Sequence, residues 1–278
     1  MLNVRLRPEE EAALNLRALY DAHGYSFYRM SRFEEYDFYA GKKDFLTSSN
    51  ILTFTDINGK LMALRPDVTL SIIKHMKFID DVPQKFYYDE KVYRVPKNAN
   101  TFREISQAGI ECAGNLNARD LREVLELALL SLKTIASGRK FILDVANAAM
   151  IAELVPETQS RNEILKCIAE KNIHELKQLN ADEKLVALMT SPKLDANTIS
   201  IIDSLNEYHE HIRIDFSVLN NLNYYNGIVF RGFIEGIPES ILSGGQYDNL
   251  MGLMGRKNCK AIGFAVYLDL VERGFSHD

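Results

Sequence analysis

Residues 86–111 read FYYDEKVYRVPKNANTFREISQAGIE, and the fold turns on how they are read. From 86 to 94 apolar and polar residues alternate, the period-two signature of a half-buried strand. Residues 95–101 (VPKNANT) are rich in turn-forming residues and predict a loop. Residues 102–111 resume the strand pattern, so the whole stretch predicts a strand, a loop and a returning strand. Gln107 and Glu111 are an even number of residues apart, which on a strand puts both on one face. Polar side chains there mean either a solvent face or a site.

Upstream, Arg7-Pro8-Glu9-Glu10-Glu11 opens a helix: proline suits the first helical position, and three glutamates complement the positive end of the dipole. Ala12, Leu16, Leu19, Tyr20 and His23 share one face at helical spacing, and Gly24 is placed to cap the end. Strands are predicted at 25–30 and within 45–55. Asn58-Gly59 then signals a hairpin before 61–64. Leu64-Arg65-Pro66-Asp67-Val68-Thr69 starts a second helix running to about residue 76, with Asp67 readable as a plain cap.

Downstream, Asn117 caps a long helix whose apolar face is Leu121, Val124, Leu125, Ala128, Leu132 and Ile135, ending at Gly138. A strand follows at 141–145. From about 146 to 211 strand signal gives way to helical windows at 164–168, 176–179, 185–189 and 199–205, which predicts a helical insertion in an α+β domain. Residues 219–250 hold LNNLNYYNGIVFRGF, a spacer and SGGQYDNL. Tyr224 and Tyr225 precede an apolar strand at 228–233; Gly244 and Gly245 read as a turn, followed by Gln246, Tyr247 and Asp248. Rings beside a tight glycine turn can line a small polar pocket. A half-buried hairpin with core tyrosines fits the same spacing. A strand at 261–266 and a helix at 267–273 complete the pattern.

Composition excludes several classes. With 46% hydrophobic and 26% charged residues over 278 positions, the chain is an ordinary globular one. Its apolar runs fall well short of the roughly 20 residues of a membrane span. MLNVRLRPEEE lacks the apolar region of a secretory signal. Cys112, Cys167 and Cys259 are odd in number and unpaired in spacing, pointing to a reducing compartment, the cytoplasm, and no zinc site. His23, His75, His174, His209 and His211 show no metal-ligand spacing. A net charge of -5 and a pI near 5.8 disfavour a chain that grips nucleic acid by itself, and no dense basic run is present, dipeptides such as Arg256-Lys257 coming nearest to one.

Taken together in chain order, these pieces resemble the catalytic core of a histidyl-tRNA synthetase, a class II aminoacyl-tRNA synthetase. RPDVT resembles the family's R-P-E-G-T, and VYR with FREISQAGIE its motif 2. LNYYN resembles L-D-Y-Y-N, SGGQYDNL resembles S-G-G-R-Y-D-G-L, and AIGFAVYLDL stands at motif 3. The likeness spans nearly the whole chain, and the combination is specific although each piece alone is weak. It implies an α+β fold, an antiparallel sheet flanked by helices, with a homodimer formed through a motif 1 region that includes Phe33-Glu34, where Ser31 replaces the usual proline. It also implies a histidine pocket. Asp67 and Thr69 would hold the α-amino group with Gln107 beside them, Glu111 and Tyr224 would contact the imidazole, and Tyr225 and Tyr247 would line the walls. The chemistry suits the ligand, since an ammonium and an imidazole N–H both need anionic or hydroxyl acceptors.

Departures from the pattern concern ATP. Arg94 and Arg103 keep the two motif 2 arginine positions, the vestige of an ATP site. Val95 replaces the glutamate after the first, Asn220 replaces the arginine that opens R-G-L-D-Y-Y, with Asn221 and Asn223 in its glycine and aspartate places. Tyr267 and Leu270 replace a glycine and the arginine of motif 3. A hydrogen bond to a charged group contributes about 1.5–3 kcal/mol, so losing two arginines costs about 3–6 kcal/mol, or about two to four orders of magnitude in rate. The sequence runs to Asp278, eight residues past Leu270, and an anticodon-binding domain like that of the synthetases is not expected. This combination resembles the regulatory subunit of ATP phosphoribosyltransferase (the HisZ family), which carries no catalytic residue or cofactor. That resemblance implies partnership with the short-form catalytic subunit in a hetero-octamer and feedback control by L-histidine. The rival expectation is a degenerate synthetase that still adenylates an amino acid, supported by Arg94 and Arg103.

Overall fold

The computed structural model describes residues 6–42, 46, 51–76, 82–95, 100–155, 157, 159–219, 224–256 and 258–276. Asn220, Asn221, Asn223, Lys257 and residues 96–99 of the predicted loop lie outside them. The chain forms two compact units, Met1–Asn115 with Leu250–Asp278, and Leu116–Asn249.

Helix α1 (Pro8–Ala22) starts as its sequence dictates, with proline first, three glutamates in the first turn, and the Arg7 N–H donating to Glu10 Oε2 at 2.9 Å. Its buried face is Ala12, Ala13, Leu16 and Tyr20. His23, expected on that face, is exposed and lies past the last turn, its Nδ1 2.8 Å from the Leu19 carbonyl oxygen. The predicted 25–30 strand shrinks to β1 (Ser26–Phe27). Strand β2 (Phe33–Glu35) leads into helix α2 (Tyr36–Ala40), then β3 (Thr53–Thr55) and β4 (Leu61–Leu64). These make a three-stranded antiparallel sheet in the order β2-β4-β3. Its Asn58-Gly59 turn has Gly59 at φ +79, and Asp56 Oδ1 accepts from the N–H groups of Asn58 and Lys60.

Helix α3 (Val68–His75) follows, then β5 (Gln84–Arg94) and β6 (Arg103–Gly114), the strand and returning strand predicted from 86–111. They pair antiparallel from Arg94↔Arg103 to Gln84↔Ala113.

In the second unit, α4 (Ala118–Ala136) opens with Asn117 accepting from Arg119 N while its own N–H donates to Asp120 Oδ2. Then come β7 (Phe141–Asn147) and helices α5 (Ala148–Leu154), α6 (Arg161–Ala169), α7 (Ile173–Gln178), α8 (Glu183–Thr190) and α9 (Ala196–Asp203). Strands β8 (Ile212–Ile214), β9 (Ile228–Ile234) and β10 (Leu242–Gln246) complete its sheet. β9 pairs antiparallel with both β7 and β10, and β8 runs parallel to β7. Leu132 of α4 packs where a Cβ on Gly232 of β9 would lie, 2.6 Å away.

The chain closes with α10 (Asp248–Leu253), β11 (Lys260–Tyr267) and α11 (Leu268–Phe275). In the first unit β11 pairs antiparallel with β6 from Lys260↔Gly114 to Tyr267↔Gln107, and β1 adds parallel to β5 at Ser26↔Phe86. Tyr20 of α1 covers this sheet through the rings of Tyr87 and Phe264 at 6.1 and 6.0 Å. The α+β expectation holds, with one adjustment. The sheets are mixed, because the short β1 and β8 join their neighbours in parallel. No helix among the described residues is long and apolar enough to cross a membrane, and none of their His, Cys, Asp and Glu side chains form a group that could hold a metal ion.

Candidate functional site

In the first unit the predicted residues gather at the N-terminus of α3 and the middle of β6. Asp67 is the N-cap of α3, with extended backbone and Oδ1 accepting from the Leu70 N–H at 2.9 Å. Burial pushes its carboxyl up, against the pull of the Leu70 N–H and the charge of Arg94. At the second position of the helix, Thr69 Oγ1 donates to Glu111 Oε1 at 2.5 Å. Glu111 is 1% exposed, Gln107 is buried four residues before it on the same face of β6, and their cross-strand neighbours on β11 are Gly263 and Tyr267. The cluster is therefore an acceptor: a carboxylate held in place by a hydroxyl on one oxygen, suited to an N–H bearing ligand. Thr69, expected to hold an α-amino group, spends its hydroxyl proton on Glu111.

Two glycines shape this sheet. A Cβ on Gly263 would sit 1.9 Å from Glu111 Oε2, and one on Gly109 would sit 2.1 Å from the Phe264 carbonyl oxygen and 2.6 Å from Tyr88 Oη. The buried Tyr88 phenol, which donates to Phe264 O, is held well above the ordinary tyrosine range by burial and then by the Glu111 charge.

Of the two motif 2 arginines, Arg94 is buried and Arg103, directly opposite it on β6, is exposed. Tyr267 and Leu270, the replacements at motif 3, are both half-buried, at the end of β11 and in α11.

In the second unit Tyr224, Tyr225 and Tyr247 cluster. Tyr224 meets Tyr225 edge to face at 4.7 Å and Tyr247 at 5.8 Å. Gly244 and Gly245 are not the turn expected of them: both lie inside β10, opposite Phe230 and Val229. A Cβ at 245 would come within 2.7 Å of the Ile228 carbonyl oxygen and 2.8 Å of the Tyr225 ring, so the glycine makes room for that ring. The loop below is pinned by its own side chains. Asn226 Oδ1 accepts from Asp248 N at 2.9 Å, and Gln246 Oε1 accepts from Ile228 N at 2.8 Å.

Sequence reasoning missed Arg65. It is fully buried, and its guanidinium donates to the Ser31 and Lys91 carbonyls and to Glu90 Oε2, the last at 2.8 Å. Its backbone N–H donates to Arg32 O and its carbonyl accepts from Tyr93 N. Residue 65 thus fixes the chain two residues before Asp67. Glu34, legible in the sequence only as part of motif 1, is buried and accepts from Ser71 Oγ at 2.7 Å and Lys74 Nζ at 2.8 Å, tying β2 to the middle of α3. A charged residue directly before a Pro-Asp helix start was the available signal for Arg65.

Comparison with known proteins bears on this arrangement. The family model described as histidyl-tRNA synthetase matches residues 1–197 and 187–271. The chain is 30% identical to the ATP phosphoribosyltransferase regulatory subunit of Thermoanaerobacter pseudethanolicus, over 80% of this chain and 67% of that one. Its fold is similar to that of a Bacillus halodurans protein described as an ATP phosphoribosyltransferase regulatory subunit/histidyl-tRNA synthetase (TM-score 0.78, 20% identity, 99% of this chain and 83% of that one). It is also similar to a chain of the Thermotoga maritima ATP phosphoribosyl transferase (HisG:HisZ) complex (TM-score 0.73, 19% identity, 92% and 96%).

Proposed function

The chain belongs to the histidyl-tRNA synthetase family, alongside relatives named ATP phosphoribosyltransferase regulatory subunit, and from that premise we propose that it is the non-catalytic regulatory subunit of an ATP phosphoribosyltransferase. Its role is then in the first step of L-histidine biosynthesis, where it supports a short-form catalytic subunit and carries feedback control. The observation that carries the reading is the 30% identity to a protein of that name across most of both chains. The fold shared with the Thermotoga maritima complex supports the partner. The motif departures support the absence of chemistry, with Val95, Tyr267 and Leu270 where a synthetase keeps a glutamate, a glycine and an arginine.

L-histidine is the proposed effector. Thr69 and Glu111, with Asp67 and Gln107, have the acceptor chemistry for its nitrogens, and Tyr224, Tyr225 and Tyr247 are assigned to it through the motifs they occupy. Binding shifts the assembly toward a less active state through a coupling of about 1–3 kcal/mol. We further assign a homodimer of this chain, a hetero-octamer with the catalytic subunit, and a cytoplasmic location.

Calorimetric titration of the purified chain with L-histidine, alone and with the catalytic subunit, tests the reading, with Glu111→Ala as control. Binding by the native chain and none by the variant is the expected pair; no heat in either setting sinks the effector assignment. Retention of Arg94 and Arg103 favours the adenylating alternative, and histidine-dependent exchange of pyrophosphate into ATP would establish it.

A further inference from the structure

We propose that Gly263 is a positioning residue for Glu111, present because the carboxylate that reads the ligand occupies the space a side chain there would fill. The inference rests on the ligand reading above. Glu111 and Gly263 are directly opposite on β6 and β11. A Cβ on Gly263 would lie 1.9 Å from Glu111 Oε2 and 2.7 Å from its carboxyl carbon, distances at which the carboxylate has to leave the position it holds. The backbone at 263 is an ordinary strand, not the left-handed region, so space rather than conformation explains the glycine.

The carboxylate is therefore constrained from two sides. Thr69 Oγ1 holds Oε1 at 2.5 Å, and the bare backbone of β11 lets Oε2 settle across the neighbouring strand. A glutamate this deeply buried has few rotamers open to it, and filling the space at 263 drives it off the one that Thr69 bonds. The second unit repeats the device, with Gly245 leaving room for the Tyr225 ring at 2.8 Å.

A second close neighbour of a methyl at 263, the Ile110 carbonyl oxygen at 2.5 Å, makes the test specific. Gly263→Ala, Glu111→Ala and the double variant are melted and titrated with L-histidine. Gly263→Ala is expected to lose about tenfold or more in affinity, the scale of one misplaced charge-assisted hydrogen bond. Glu111→Ala is expected to recover part of the melting temperature that Gly263→Ala loses, because it removes the side chain in the way. If Gly263→Ala does not fold while the double variant does, the glycine serves Glu111 as proposed. If it titrates like the native chain, or is equally destabilised in both backgrounds, the glycine serves the Ile110 carbonyl or nothing, and the proposal is overturned. Should Glu111→Ala bind histidine normally, the ligand reading fails by itself, and the melting comparison still judges Gly263.

Discussion

Replacing Glu90 by glutamine isolates a buried charge. Arg65 is 0% exposed and Glu90 Oε2, 2.8 Å from Nη2, is its ion-pair partner, itself 15% exposed. Removing one member of a buried pair typically costs about 3–5 kcal/mol, because the other charge stays desolvated and uncompensated. Here Arg65 keeps its bonds to the Ser31 and Lys91 carbonyls, which favours the lower end, about 3 kcal/mol. The next residue supplies an internal control. Lys91 pairs with Glu104, but both side chains are nearly half exposed, so Glu104→Gln is expected to cost about 1 kcal/mol or less. Urea unfolding of the three proteins, fitted for midpoint and slope, measures both costs. A Glu90→Gln variant that unfolds within about 1 kcal/mol of the native chain would refute the argument that the guanidinium depends on this carboxylate.

Other perturbations follow from the same geometry. Thr69→Val removes the hydroxyl that orients Glu111 and is expected to weaken L-histidine binding by about tenfold in calorimetry. Asn117→Ala deletes the cap of α4 and is expected to cost about 1 kcal/mol, read from the urea midpoint. Burial raises the Asp215 carboxyl, but Lys171 and Ser217 more than offset it, and its folded value is net depressed. That contribution to stability is present above the unfolded value of about 3.9 and is lost as pH falls through the lower folded one. Asp215→Asn is therefore expected to lose less stability than the native chain on acidification below about pH 4, measured as the change in urea midpoint.

Elements whose signals are local were legible in advance. Pro8 with three glutamates, Asn58-Gly59, Asp67 and Asn117 each declare a start or a turn through backbone chemistry within four residues, and each is where it was read. The strand and its return at 86–111 were legible for the same reason, since alternation is a property of the strand itself. What escaped depends on partners distant in sequence. Gly244-Gly245 looks like a turn by composition, and only the ring of Tyr225 and the pairing to β9 explain why glycine stands inside a strand. His23 satisfies helical spacing but falls past the last turn, where the period no longer applies. Arg65 looks like a surface residue beside a helix start, because its partners come from residues 31, 90 and 91. The candidate ligand residues were readable as motif positions, whereas the bond between Thr69 and Glu111, 42 residues apart, was not.

The pairing of β11 with β6 carries a consequence for how the chain is made. Residues 260–267 meet residues 107–114, so roughly 150 residues of synthesis separate the two strands, on the order of 10–30 s at the ribosome. The second unit is continuous in sequence and has all its strands in hand before β11 appears. The first unit does not, and until then one edge of β6 stands with its backbone groups unpaired, open to association with another nascent chain. The strand that closes this edge also brings Gly263 to Glu111. Under the proposed ligand reading, a chain truncated shortly before residue 260 is expected to keep that edge of β6 open and to fail to bind histidine, because Glu111 then lacks the strand that carries Gly263.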